Sequence, residues 1–278
     1  MPPTALQIHG RFVLAKLLSK VSSRIRWELI TLVSKCLSID IVTCSEIRKI
    51  RGLKRIGSNA CGWVIPTHLV QEDSVCYCVG VGEDITFDLG LISRFDCEVY
   101  AFDPTPRANL HVQKRAKHVN KFHFFEVGLW DKNEIQKFYA PSNPAHVSHS
   151  IVNLQRTSEF FDAQCKRLST IMFENDHHRI DLLKLDIEGA EYRVIDSIIE
   201  DRLDIGIICV EYDEAHHKLD DEYLDRIKKS VSRLRDYGYT LVAVKLRCNY
   251  TFVKNELLNL RACLKNPMGW QPGDAPGV

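Results

Sequence analysis

Asp186, Glu188 and Glu191 stand around one glycine, Gly189, directly after the apolar residues Leu182, Leu183 and Leu185. Three carboxylates at the end of a buried strand can bind a cationic or hydroxylic group, ligate a metal, or take a proton from a reacting group. A helix cap or first-turn role for Asp186 or Glu191 is the structural alternative. A second group lies about a hundred residues earlier, where the run Val75–Val79 leads into Gly80, Val81, Gly82, Glu83 and Asp84. Glycine there permits positive φ and lets a ligand approach the backbone, and a following helix offers free N–H groups. Ile85 stands where a dinucleotide fingerprint has its third glycine, which argues against a diphosphate cradle. Asp103 follows the next apolar run, Glu98–Phe102, at about the 20-residue spacing from which an acid reaches ribose hydroxyls.

Further candidates sit where loops leave strands. Gly128–Asp131 follows the run 121–127, so Leu129, Trp130 and Asp131 are placed to contact a base ring, with Trp130 equally suited to a core. The polar, turn-rich segment Pro141–Ser150 suits an active-site lid and carries His146, Ser148, His149 and Ser150. No G-x-S-x-G elbow occurs in it, so no nucleophilic triad is inferred. Glu211, Asp213 and Glu214 with His216 and His217 raise a metal hypothesis alongside Asp186 and Glu188. Spacing alone does not bring these groups together, and no metal is assigned.

The elements that must position these residues follow from periodicity. Strands are expected at 39–42, 62–65, 75–79, 98–102, 121–127, 135–139, 180–185, 205–210, 240–246 and 250–253, the last two forming a hairpin through 247–249. Helices are expected after Ile85, over 107–119, from Glu191 through about Ile199, and over 222–237, with one or two amphipathic helices within 12–37. Strands alternating with helices imply an α/β fold with a mostly parallel sheet.

Composition narrows the class. The chain has 278 residues, enough for one large α/β domain, and Lys+Arg 37 against Asp+Glu 36 provides no global field to recruit nucleic acid or anionic membrane. Ten scattered cysteines without a C-x-x-C pair resemble the reduced thiols of a cytoplasmic protein. Charges interrupt the apolar residues of 11–43 too often for a transmembrane segment.

Taken together, Gly80–Asp84, Ala101–Pro106 and above all Leu182–Glu191 resemble the FkbM-type family of class I S-adenosylmethionine-dependent methyltransferases, over about 62–252. The resemblance implies a Rossmann-like, seven-stranded, mostly parallel sheet with an antiparallel last strand, which agrees with the hairpin. It also implies S-adenosylmethionine as cofactor, held by Gly80, Gly82, Glu83, Asp103, the Leu129–Trp130–Asp131 loop and Asp186. Cys78 stands where class I enzymes carry an acid two positions before the first glycine. The chemistry expected is methylation of a hydroxyl on a small molecule or glycan, with Asp186, Glu188 and His149 as candidate bases. The expected organisation is an N-terminal helical extension over 1–60, the methyltransferase domain over 61–262, and a flexible tail over 263–278. A non-catalytic module of the same fold is the alternative; an NAD-dependent oxidoreductase fits less well, given Ile85 and the terminal hairpin.

Overall fold

A computed structural model describes residues 46–245 and 247–264, with side chains through 259. The helices expected within 12–37, the strand at 39–42 and residues 265–278 of the expected tail lie outside the described residues, while 263 and 264 end a helix.

In chain order, strands β1 (Leu53–Ile56) and β2 (Trp63–Pro66) pair antiparallel and lead to β3 (Val75–Val79). Helix α1 (Thr86–Phe95), strand β4 (Glu98–Phe102), helix α2 (Pro106–Arg115) and strand β5 (Phe122–Phe125) follow. Then come β6 (Gly128–Leu129), β7 (Glu134–Tyr139), β8 (Phe160–Lys166), α3 (Leu168–Glu174) and β9 (Ile180–Leu185). The chain continues through α4 (Glu191–Glu200), β10 (Ile205–Glu211), α5 (Tyr223–Asp236), β11 (Tyr239–Lys245), β12 (Asn249–Lys254) and α6 (Asn255–Leu264).

Seven strands form the main sheet in the order β11-β12-β10-β9-β3-β4-β5. β10, β9, β3, β4 and β5 run parallel to one another, whereas β12 is antiparallel to both β10 and β11. This is the seven-stranded Rossmann-like arrangement that the resemblance implied. The central strands are apolar on both faces because helices cover both faces. Cys76, Tyr77, Cys78 and Val79 of β3 are all buried, as are Leu182, Leu183 and Leu185 of β9. At about 1.5–3 kcal/mol per buried side chain of this size, the sheet centre is a rigid base for the loops at its end.

Strand order reverses between β3 and β9. The chain builds outward from β3 through β4 to β5, then returns to place β9 on the other side of β3. Gly80 and Asp186 leave adjacent strands at the same level, Val79 opposite Leu185, with the Asp186 N–H donating to Val79 O at 3.2 Å. Crevices at such switch points are where open α/β sheets bind ligands.

A smaller sheet, β6-β8-β7, differs from the sequence expectation. The sequence predicts a loop over Gly128–Asp131, but Gly128 and Leu129 pair in parallel with Cys165 and Lys166 of β8. β8 and α3 escape a periodicity reading because β8 mixes Asp162, Gln164 and Lys166 with its aromatics and buries only Cys165. Trp130, Phe138, Cys165 and Ala190 make a second core cluster beneath this sheet.

Candidate functional site

A cavity of about 350 Å³ opens at the switch point. Its walls include Gly80, Gly82, Glu83, Asp103, Leu129, His149, Asp186 and Glu188 from the residues singled out in the sequence. Five distant stretches therefore converge on one space. Asp84, Thr105, Phe138, Val147, Ser148 and Lys184 complete much of the lining.

The glycine turn forms the floor. Gly80 has φ +82°, and a Cβ there would run into the carbonyl oxygen of Asp186, so no other residue fits while the two strand ends stay in register. Gly82 has φ +54°, and a Cβ on it would meet only Val147 Cγ2, itself a cavity wall, at 3.3 Å. The first glycine serves the fold, and the second leaves the cavity open beside Val147.

Asp103 holds this turn from the side. Its Oδ2 accepts the N–H groups of Val81 and Gly82, each at 2.9 Å, and its Oδ1 accepts the N–H (2.8 Å) and the hydroxyl (2.6 Å) of Thr105. Only 6% exposed, the carboxylate orders the backbone as well as facing the cavity. Lys184 holds the turn from below: its Nζ donates to Gly80 O and lies 3.1 Å from Asp186 Oδ2. Burial alone would push this lysine's pKa down, but Asp186 and Asp88 beside it outweigh that and raise it, so it stays charged. Sequence reasoning missed Lys184. Its signal was a lysine in an otherwise apolar central strand, where an unpaired ammonium would be prohibitive.

The turn after β9 is built around its acids. Glu188 is left-handed at φ +55°, a conformation uncommon for a residue with a side chain and associated with functional sites. Its N–H donates to Asp213 Oδ2 at 2.9 Å, and its carbonyl accepts the Ser150 hydroxyl at 2.6 Å. Glu191 Oε1 accepts the N–H groups of Ile187 (3.2 Å) and Gly189 (3.0 Å), so this acid braces the turn. Burial pushes Asp186 up to about 6, against the pull of Lys184. Burial, then the neighbouring Asp186, pushes Glu188 up to about 7. Burial holds Asp213 well above the usual carboxylate range, and Glu188 adds to it. Oxygens of Asp186, Glu188 and Asp213 lie within 4.8 Å of one another.

The polar segment after β7 covers the cavity. Tyr139 and Ser150 exchange backbone hydrogen bonds at 3.0 Å and close its base. Arg107 straps its outer turn: Nη1 donates to the carbonyls of Pro144 (3.1 Å) and His146 (2.9 Å), while Nη2 pairs with Glu83 at 2.7 Å. Glu83 thus lines the cavity and anchors the cover together. His149 Nδ1 lies 2.9 Å from Val147 O, a contact in which Nδ1–H donates, so the neutral form of the ring carries its lone pair on Nε2. His146 meets the strap through its carbonyl and is not among the lining residues.

Trp130 and Asp131 also lie outside the lining. Trp130 packs in the small-sheet core with the Arg193 guanidinium 5.4 Å from its ring centre. Asp131 pairs with Arg193 at 3.1 Å, and its carbonyl accepts from Arg167 at 2.7 Å. Both follow from β6, which turns the residues after Leu129 away from the cavity.

Residues 81–241 match the methyltransferase FkbM domain. Two curated relatives, probable methyltransferase-like protein 24 of Rattus norvegicus and of Homo sapiens, are each 30% identical, over 137 and 138 residues. Each match covers 49% of this chain and 31% of the relative, so the chain spans about a third of these relatives' length. Among solved structures, a Methanococcus jannaschii fibrillarin pre-rRNA processing protein aligns with a TM-score of 0.41 at 10% identity, covering 75% of this chain and 85% of its own. A precorrin-6y C5,15-methyltransferase of Geobacter metallireducens aligns with a TM-score of 0.38 at 14% identity, covering 78% and 98%. With 81–241 taking in Gly82, Asp103, the cover segment and the acidic turn after β9, the chain belongs to the methyltransferase FkbM domain family.

Proposed function

We propose that the cavity binds S-adenosylmethionine and that the protein transfers its methyl group to a hydroxyl of a small molecule or glycan. The observation that carries this reading is the charge of the cavity. Glu83, Asp84, Asp103, Asp186 and Glu188 line it against the single lysine Lys184, over a floor of two glycines. Such walls suit a ligand with a sulfonium and an ammonium group and repel the diphosphate of a nicotinamide dinucleotide. The same walls, and a net charge of +1, favour a neutral acceptor over nucleic acid.

Gly80 and Gly82 support the cofactor's methionine and ribose part, and Leu129 offers an apolar wall to adenine. Asp103 faces the ribose through Oδ1, because the Thr105 hydroxyl is the one of its four donors that can rotate away. Bound S-adenosylmethionine supplies an already activated methyl group, so alignment and removal of the acceptor proton are what the protein must add. Glu188 is the base we assign. Raised to about 7, it is poised near neutral pH, whereas Asp186 is tied to Lys184. His149, with its lone pair on Nε2, orients or relays the same proton.

On this reading the methyltransferase domain takes in β1 as well as 61–262, since Leu53–Ile56 pairs along its length with β2. Every cysteine whose side chain is described is a free thiol, which supports a reducing setting such as the cytoplasm. No helix among the described residues is long and apolar enough to cross a membrane.

Calorimetry with S-adenosylmethionine, followed by an S-adenosylhomocysteine product assay against mixed hydroxylic acceptors, tests the proposal. Binding with turnover is expected. Binding without turnover on any acceptor would instead favour a non-catalytic module, and binding of NAD alone would sink the assignment.

A further inference from the structure

Beside the acidic turn, the structure brings together a carboxylate, an imidazole and a thiol that methyl transfer as described does not use. Glu211 ends β10, His216 follows the short turn Asp213–Ala215, and Cys248 lies in the hairpin between β11 and β12. The Nε2 of His216 is 3.1 Å from Cys248 Sγ and 3.5 Å from Glu211 Oε1, and Cys248 Sγ is 3.5 Å from the same Oε1. Donor atoms at about 2.0–2.3 Å from a tetrahedral zinc ion are about 3.3–3.7 Å from one another. Both separations to Glu211 Oε1 fall in that range and the nitrogen–sulfur one is about 0.2 Å short of it, so a small outward turn of the His216 ring completes one triangular face of such a site.

The chain holds this face in place. Tyr212 N–H donates to Cys248 O at 2.9 Å, joining the end of β10 to the hairpin, and His216 N–H donates to Asp213 O at 2.8 Å. Asn249 Nδ2 donates to Glu211 Oε2 at 3.0 Å, which orients the carboxylate with Oε1 toward His216 and Cys248. A supporting hydrogen bond to a ligating carboxylate is what metal sites use to fix their first ligands. Cys248 is fully buried, while the His216 side chain keeps 34% of its surface open, leaving a way in.

We propose that Glu211, His216 and Cys248 form a zinc-binding site at the end of β10. A thiolate, an imidazole and one carboxylate select zinc over magnesium or calcium, which prefer all-oxygen sets. The Cys248 sulfur is within hydrogen-bond reach of Asn249 Oδ1 at 2.9 Å as well as of His216 Nε2 and Glu211 Oε1. On binding, the sulfur–hydrogen bond breaks, the proton leaves to solvent and the sulfur lone pair forms the bond to zinc; nothing is oxidised or reduced. Three protein ligands leave a fourth position for water or for an oxygen of a bound acceptor.

Cobalt(II) is the probe, added to the full chain after chelator treatment. One equivalent should bind with the near-ultraviolet absorption of a thiolate-to-cobalt charge transfer, and zinc should displace it. Cys248→Ser should abolish the band, and Cys61→Ser should leave it unchanged. His216→Gln and Glu211→Gln should keep the fold by circular dichroism and weaken cobalt binding at least about tenfold. A band that survives Cys248→Ser, unchanged affinity in both the other variants, or no cobalt uptake by folded wild-type protein would overturn the proposal. Neither S-adenosylmethionine nor an acceptor enters the measurement, so its outcome is independent of the methyl-transfer reading.

Discussion

Lys184 Nζ lies 3.1 Å from Asp186 Oδ2 at the base of the glycine turn, and the same ammonium donates to the carbonyl of Gly80. One cation thus compensates the acid and ties the ends of β3 and β9 together. Removing it by Lys184→Met leaves a carboxylate with no partner in a largely enclosed space. We expect a loss of about 3 kcal/mol, the lower end for a broken buried pair, because Asp186 keeps 27% of its side chain open to the cavity. Urea denaturation of Lys184→Met and of the Lys184→Met/Asp186→Asn double variant checks this. The double variant should recover much of the loss; equal instability in both would show that the pair is not what matters.

Turnover should depend on pH through Glu188. As the base, Glu188 acts in its ionised form, and burial beside Asp186 raises it to about 7. The rate should therefore rise with pH through neutrality and level off above about 8. In Glu188→Gln the rate should fall by roughly a hundredfold or more and lose that limb, with S-adenosylmethionine affinity little changed. Comparison with Asp186→Asn and His149→Gln assigns the proton. If all three variants retain wild-type turnover, none of them is the base.

Glu191 should make the fold less stable as pH rises. Burial pushes this carboxyl up to about 8, although the Gly189 N–H pulls the other way. An unfolded glutamate titrates near about 4.3. Between these values the folded state binds the extra proton, so stability present at low pH is lost as pH rises toward about 8. Denaturation midpoints measured at about pH 5 and about pH 8 should fall for the wild type and fall less for Glu191→Gln. An identical slope in the variant would mean that Glu191 does not hold that proton.

The parts of this site that were legible in the sequence are those where local chemistry and strand order coincide. Gly80, Gly82, Asp103, Asp186 and Glu188 each follow an apolar run directly, and the alternation of strands and helices carries them to one sheet end. Trp130 and Asp131 show where this reasoning stops. They also follow an apolar run, yet the pairing of Gly128 and Leu129 with β8 turns them into the small-sheet core and an ion pair with Arg193. That pairing joins residues far apart in sequence, and neither partner strand has strong alternation. Lys184 was hidden for another reason: a paired, buried lysine occupies a strand position as an apolar residue would, and only its contacts reveal it. Likewise, His216 and Cys248 are 32 residues apart, and it is the hairpin return that joins them.

The two floor glycines separate folding from ligand binding. In Gly80→Ala the new methyl meets the Asp186 carbonyl oxygen, a backbone atom at the centre of the sheet, and the residue must hold φ +82°. The methyl can be relieved only by pulling β3 from β9, so this variant should fail to fold or lose more than about 4 kcal/mol. In Gly82→Ala the methyl meets only Val147 Cγ2 at 3.3 Å, on a cover segment attached through Arg107, and φ +54° costs about 1 kcal/mol. That protein should fold and show nearly wild-type urea midpoints. Its cavity, however, is narrowed where the cofactor is proposed to rest, so S-adenosylmethionine affinity should drop about tenfold or more while the unliganded fold is retained. Calorimetry and denaturation on the two variants side by side decide the matter. A folded Gly80→Ala would contradict the close strand contact, and full cofactor affinity in Gly82→Ala would place the ligand elsewhere.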